Sequence, residues 1–168
     1  MEAVVCGIDP GLGNTGYAVL RMHCGTRSVI DAGVCRFDKR KPLAERLLDI
    51  ERDVSSILNE HHPDFVAVEE LYAHYKHPRT SILMGHARGV MLLCAAKMGI
   101  EVHSFAATRI KRYLTGNGRA SKSQMQRAVQ TTLGFADVPD PPDLADALAI
   151  ALCCLDQVGH APALEVSR

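Results

Sequence analysis

The spacing of apolar positions changes character along the chain. Residues 3–8 (AVVCGI) form an apolar run, followed by GYAVLRM at 16–22 and SVIDAGVCRF at 28–37. The turns between them are short and carry Gly and Thr. They are too short for a helical crossover, so the three segments read as an antiparallel meander. In the stretch 42–62 the period shifts. Leu43, Leu47, Ile50, Val54, Ile57 and Leu58 recur at three- and four-residue steps, which predicts an amphipathic helix with Pro42 in its first turn. Pro63 breaks it. DFVAVEE at 64–70 reads as a short buried strand ending in two acids, residues 80–99 as a second helix ended by Gly99, and IEVHSF as a fifth strand.

The last third reads as helical. ATRIKRYL is a short helix and TGNGRA a loop. SKSQMQRAVQTTL is a helix with Ser121 and Gln124 placed as a capping box. ADVPDPPD is a Pro-rich loop, and DLADALAIALCCLDQ a long apolar helix. The order β-β-β-α-β-α-β-α-α-α predicts an α/β fold. Its five-stranded mixed sheet has three antiparallel strands and then parallel αβ units, with helices on both faces. Residues 1–157 form one domain in this reading, and 158–168 a weakly ordered tail.

Composition narrows the class. A chain of 168 residues, 47% apolar and 23% charged, is an ordinary globular domain able to bury its own core. No run of 18 apolar residues suggests a membrane span, and no secretory signal is visible, so a cytoplasmic location is expected. The six cysteines (Cys6, Cys24, Cys35, Cys94, Cys153 and Cys154) have no zinc-ligand spacing and read as buried free thiols of a reducing compartment. The formal net charge is zero, which at first argues against a nucleic-acid partner. The distribution reverses that. Residues 71–136 hold ten Lys or Arg and one acid, Glu101, leaving nine basic residues (19 − 10) and 18 acids (19 − 1) for the rest of the chain. Such segregation predicts one basic face beside acidic elements.

The acids fall at element ends. Asp9 follows the first strand inside GIDPGLGNTG, whose glycines are expected to turn the chain sharply and leave room at the carboxylate. Glu69 and Glu70 follow the fourth strand. Asp143 and Asp146 open the last helix three residues apart, on one face. Ligands of open α/β sheets gather at the carboxyl ends of strands, so parallel first and fourth strands would bring Asp9 and Glu69 together. Four carboxylates in a small space need cations to offset their repulsion, and hard oxygen donors select Mg²⁺ or Mn²⁺. A two-ion site of that kind does phosphodiester hydrolysis. Taken singly, each acid has an ordinary alternative: a turn residue, a strand end, a helix first-turn acid.

Together, GIDPG-x-x-x-TG, AVEE-x-Y, ARGV at 87–90, RIK with KSQ, and D-x-A-D-A-L-A-I-A resemble the RuvC family of bacterial Holliday junction resolvases. The match runs from about residue 3 to residue 153. The resemblance implies an RNase H-like fold and a homodimer on a four-way DNA junction. Each subunit would nick one of two strands of like polarity, leaving 5′-phosphate and 3′-hydroxyl ends. It implies that Asp9, Glu69, Asp143 and Asp146 hold two Mg²⁺ per subunit, with Mn²⁺ able to substitute, Glu70 sitting where the family varies. Some relatives carry His at the first of the last pair, where this chain has Asp143. Lys111 and Lys122 match basic residues of DNA binding and catalysis, and Lys122 would stabilise charge on the reacting phosphate. Tyr72 matches an aromatic that stacks near the junction crossover. Arg79 and Arg88 lie in the same basic half, Arg79 as a candidate DNA-backbone contact and Arg88 as a functional or a structural residue. The family also implies work with the branch-migration proteins RuvA and RuvB. Three rivals stand beside this reading. They are an actin-like ATPase phosphate loop, which needs two lobes and a longer chain; a pre-16S rRNA type nuclease acting on RNA; and a non-catalytic junction-binding module.

Overall fold

The computed structural model describes residues 2–71 and 78–160. Three strands come first: β1 (Glu2–Asp9), β2 (Asn14–His23) and β3 (Thr26–Arg36). Then follow α1 (Leu43–His61), β4 (Phe65–Glu69), α2 (Pro78–Lys97), β5 (Glu101–Phe105), α3 (Ala107–Thr115), α4 (Lys122–Leu133) and α5 (Pro142–His160). The strands form one sheet in the order β3-β2-β1-β4-β5. β2 pairs antiparallel with β1 and β3, while β4 pairs parallel with β1 and β5. The expected mixed sheet and its element order are both found. Parallel pairing of β1 and β4 ends both strands on one edge of the sheet, with Asp9 and Glu69 at that edge.

Alternation along β1 splits the core in two, because successive strand residues face opposite sides. Ala3 and Val5 face a cluster with Leu20, Phe105, Ile110, Met125 and the buried positions of α5. Cys6 and Ile8 face the other cluster, with Ile50, Val54 and Leu58 of α1 and Ala87, Met91 and Cys94 of α2. Ile50, Val54 and Leu58 lie at four-residue steps, which is the stripe the period predicted. Pro42 stands at the N-cap position instead of inside the first turn, since its backbone is extended (φ −52°, ψ 151°). The α4 capping box is present. Gln124 N donates to Ser121 Oγ at 3.3 Å, and Ser121 N donates to Gln124 Oε1 at 2.8 Å.

α5 is the structural centre. Ala147 through Leu155 are all buried, so the helix is enclosed on every side between the sheet and α3 and α4. Its contact with the sheet depends on missing side chains. A Cβ on Gly7 would stand 2.5 Å from the Ala147 carbonyl oxygen and 2.6 Å from the Ala151 amide nitrogen. A Cβ on Gly16, which pairs with Asp9 across β1 and β2, would overlap the Asp143 carbonyl. Two of the four glycines of GIDPGLGNTG therefore have a different purpose from the one expected. Gly7 and Gly16 make room for α5. Gly11 admits the carbonyl of Asn14 within the turn, and Gly13 the side chain of Lys39.

Two further expectations change. α5 continues through His160, because Val158 is buried against the core, so residues 158–160 are helix and not tail. The cysteines are free, but only Cys6, Cys94, Cys153 and Cys154 are buried. Cys24 is exposed in the β2–β3 turn and Cys35 is half-buried.

The helix seat gives a direct test. Gly7→Ala should destabilise the chain by about 3 kcal/mol or more, because the added methyl meets backbone atoms that cannot swing aside. Urea denaturation measures this, and an unchanged midpoint would contradict the packing described.

Candidate active site

Three elements deliver carboxylates to one place. β1 ends in Asp9, β4 ends in Glu69, and the first turns of α5 carry Asp143 and Asp146. α3 and α4 bring Lys111 and Lys122 over them. All six line one cleft of about 380 Å³, together with Pro10, Asn14 and Met84. The sequence-predicted acids and lysines are thus brought together. Two other predicted residues are not in this set. Arg79 is exposed on the first turn of α2 and does not line the cleft. Tyr72 lies outside the described residues.

The acids are held in tension. Burial, then the charges of Asp146, Glu69 and Asp143, push the Asp9 carboxyl from its ordinary 3.8 up to about 8, and Lys122 opposes them. Burial raises Glu69 as well, with Asp146 adding to it and Lys111 and Lys122 pulling back. Asp146 is raised by burial in the same way, against Lys122. Lys122 is the first residue of α4, where the helix dipole disfavours a cation. Its position is explained by the acids it faces, not by helix stability.

Residues beyond the predicted acids and lysines hold this arrangement. Asn14 donates from Nδ2 to Asp143 Oδ2 at 3.3 Å, linking the turn after β1 to α5. Thr15, fully buried, donates its hydroxyl to the Gly11 carbonyl at 2.8 Å. Arg88 donates from Nε to the Glu69 carbonyl at 3.0 Å and from Nη2 to Ser104 Oγ at 2.7 Å. Of the two readings open for Arg88, the geometry supports the structural one, since it pins the end of β4 to β5. Asn14 was visible within GIDPGLGNTG, but only the packed helix shows what it bonds.

The donor set suits a hard divalent cation: four carboxylates, a buried one at their centre kept from ionising by the rest, and, among the described residues, no thiolate or imidazole on the cleft wall. Among the described residues no three such groups are gathered into a closed one-ion cage. The acids stand apart round an open cleft. Mg²⁺ commonly binds such a site through one or two carboxylates, keeping part of its water shell.

The sheet order, the parallel β1–β4 pair and the acid-lined strand ends place the chain in the RNase H-like class of α/β folds. The family model described as "Crossover junction endodeoxyribonuclease RuvC" matches residues 5–154. A relative of that description from Rhodopirellula baltica is 48% identical over 149 residues, covering 89% of this chain and 84% of the relative. The solved Thermus thermophilus RuvC structure has a TM-score of 0.81 at 32% identity, over 93% of this chain and 96% of that one. A structure described as T. thermophilus RuvC in complex with Holliday junction substrate has a TM-score of 0.83 at 33% identity, over 90% of this chain and 92% of that one. The chain belongs to the RuvC family of crossover junction endodeoxyribonucleases. The family is one of metal-dependent nucleases.

The raised acid predicts a pH dependence for the metal-free protein. Asp9 binds its proton more tightly folded than unfolded. The stability this gives is full below pH 3.8 and is lost as pH rises toward about 8. Asp9→Asn should remove that loss and raise the metal-free Tm at pH 8 by roughly 5 °C. Calorimetric scans in chelator from pH 5 to about 8 check it, and an equal pH slope in both proteins would contradict the assignment.

Proposed function

We propose that the chain resolves four-way DNA junctions by metal-dependent hydrolysis, each subunit of a homodimer nicking one of two strands of like polarity. The observation that carries this reading is the convergence of Asp9, Glu69, Asp143 and Asp146 with Lys111 and Lys122 on a single cleft. Support comes from family membership and from the likeness to a relative solved with a Holliday junction. No other chemistry fits the cleft as well: among the described residues it holds no nucleophile–histidine pair, no thiolate and no imidazole.

In this reading Asp9, Glu69, Asp143 and Asp146 hold two Mg²⁺, and Mn²⁺ can replace them. Bound there, the ions supply a lowered pKa for an attacking water and charge stabilisation for the leaving 3′ oxygen. The side chains do the remainder. Lys122 presents its ammonium where negative charge grows on the reacting phosphate, an interaction stronger in the transition state than before it. Lys111 and the exposed Arg79 contact DNA backbone, contacts that position the strand without reading sequence. Asn14 and Arg88 act as positioning residues, fixing Asp143 and the end of β4. Tyr72 would stack on a base near the crossover. The products carry 5′ phosphates and 3′ hydroxyls.

α2 supplies a surface for the dimer. Ile82 and Leu93 are 62% and 52% exposed, large for apolar side chains. Gly85 and Gly89 lie between them on the same face, with open space where a Cβ would stand. A smooth apolar stripe of this kind lets two helices approach closely across a two-fold axis. The same reading implies collaboration with RuvA and RuvB in a bacterial cytoplasm. Among the described residues no helix is long and apolar enough to cross a membrane.

Asp9→Asn should reduce junction cleavage roughly 10³-fold or more while leaving junction binding in calcium or chelator within about twofold. Lys122→Ala should slow single-turnover cleavage by roughly 10²-fold with the dimer intact. Gel-shift and cleavage assays on one synthetic junction separate the two effects. An Asp9→Asn protein that cuts normally would sink the assignment. Ile82→Glu with Leu93→Glu should give a monomer by analytical ultracentrifugation, and an intact dimer would remove α2 from the interface.

A further inference from the structure

A second groove, of about 330 Å³, opens beside the acidic cleft. The two share Gly11, Asn14, Met84 and Asp143 as walls, so a strand lying in one continues into the other. Its far side is formed by Lys39, Arg46, Thr80 and the backbone of Leu12 and Gly13. Among the described residues no acid other than Asp143, on the shared wall, lines it.

The two cations have different states. Arg46 is committed to the protein, donating from Nε and Nη2 to the Leu12 carbonyl at 3.2 and 2.5 Å, which holds the turn in place. Lys39 is exposed and, among the described residues, has no hydrogen-bond or ion-pair partner. Its sequence neighbours are paired: Arg40 with Asp38 at 2.8 Å, and Lys41 with Asp49 at 2.7 Å. The Lys39 stem lies over Gly13. A Cβ on that glycine would overlap Lys39 Cε and stand 3.1 Å from Nζ. The absent side chain thus lets the ammonium rest against the turn at the groove wall.

An unpaired, positioned ammonium, the Thr80 hydroxyl and a backbone bare of side chains at Gly11 and Gly13 make a seat for a phosphodiester. We propose that this groove holds the DNA phosphate adjacent to the scissile one, with Lys39 as its cation. The inference rests on the junction-nuclease reading. Lys39 is a binding and positioning residue, and it fixes where the strand lies as it leaves the cleft.

The test pairs a protein change with a substrate change. Junctions are made with a neutral methylphosphonate at the phosphate immediately 5′ or immediately 3′ of the cut. With wild type, one of these should bind roughly threefold to tenfold more weakly than the all-phosphate junction. Lys39→Ala should weaken binding of the all-phosphate junction by the same factor, be indifferent to that methylphosphonate, and lower the salt slope of binding by about one. If Lys39→Ala and wild type lose equally at both positions, or if the variant binds and cuts as wild type does, the proposal is overturned. A wild type that neither binds nor cuts the all-phosphate junction would instead remove the junction-nuclease reading itself, so the two failures are distinguishable.

Discussion

Everything at the cleft depends on how closely α5 lies on β1 and β2. A helix normally stands off a sheet by the length of its side chains. Here Gly7 and Gly16 face Ala147, Ala151 and the Asp143 carbonyl, so backbone meets backbone. That contact sets the height and the direction of the first turn of α5. Asp143 and Asp146 come down onto Asp9 as a result. Alanine on the helix and glycine on the strands are two halves of one device, and enclosure of α5 by α3 and α4 presses it home.

Electrostatics opposes what packing imposes. Burial and three neighbouring carboxylates make ionised Asp9 costly, and the chain offsets this only in part, with Lys122 placed against its own helix dipole. A divalent cation removes the conflict, and so does a proton. The fold therefore stores a site that is stressed without its metal, a common exchange of stability for function. Asn14 and Arg88 matter for the same reason: they hold carboxylate-bearing backbone where repulsion would spread it.

Much of this was legible in the chain before any coordinates. Apolar runs between short turns located the five strands, and helical spacing, caps and Pro or Gly breaks located the five helices, because burial and chain termination leave those marks in a sequence. The four acids were legible because element ends are readable, while parallel pairing of β1 with β4 was a condition of that reading which the sheet meets. The reason for Gly7 and Gly16 was not legible. Their partners lie on the last helix, and a sequence does not show which helix covers which strand. Turn chemistry offered a nearer explanation, and it was wrong for these two. Lys39 escaped for another reason. It lies in the acid-rich part of the chain, outside the basic stretch 71–136, so charge clustering pointed away from it. Only the groove, and the lack of a partner among the described residues, single it out. The end of α5 was placed early, at Gln157, while Val158 still had core to cover.

The central claim is that these acids cut branched DNA and not duplex. The most direct measurement incubates the full chain with Mg²⁺ and a synthetic four-way junction, each strand end-labelled in turn, beside a linear duplex of the same sequence. The account predicts paired nicks at symmetric positions on two strands of like polarity, with ends that ligase seals, no cutting in chelator, and an intact duplex. Cleavage of the duplex at the same rate, or nicks scattered over all four strands, would contradict it.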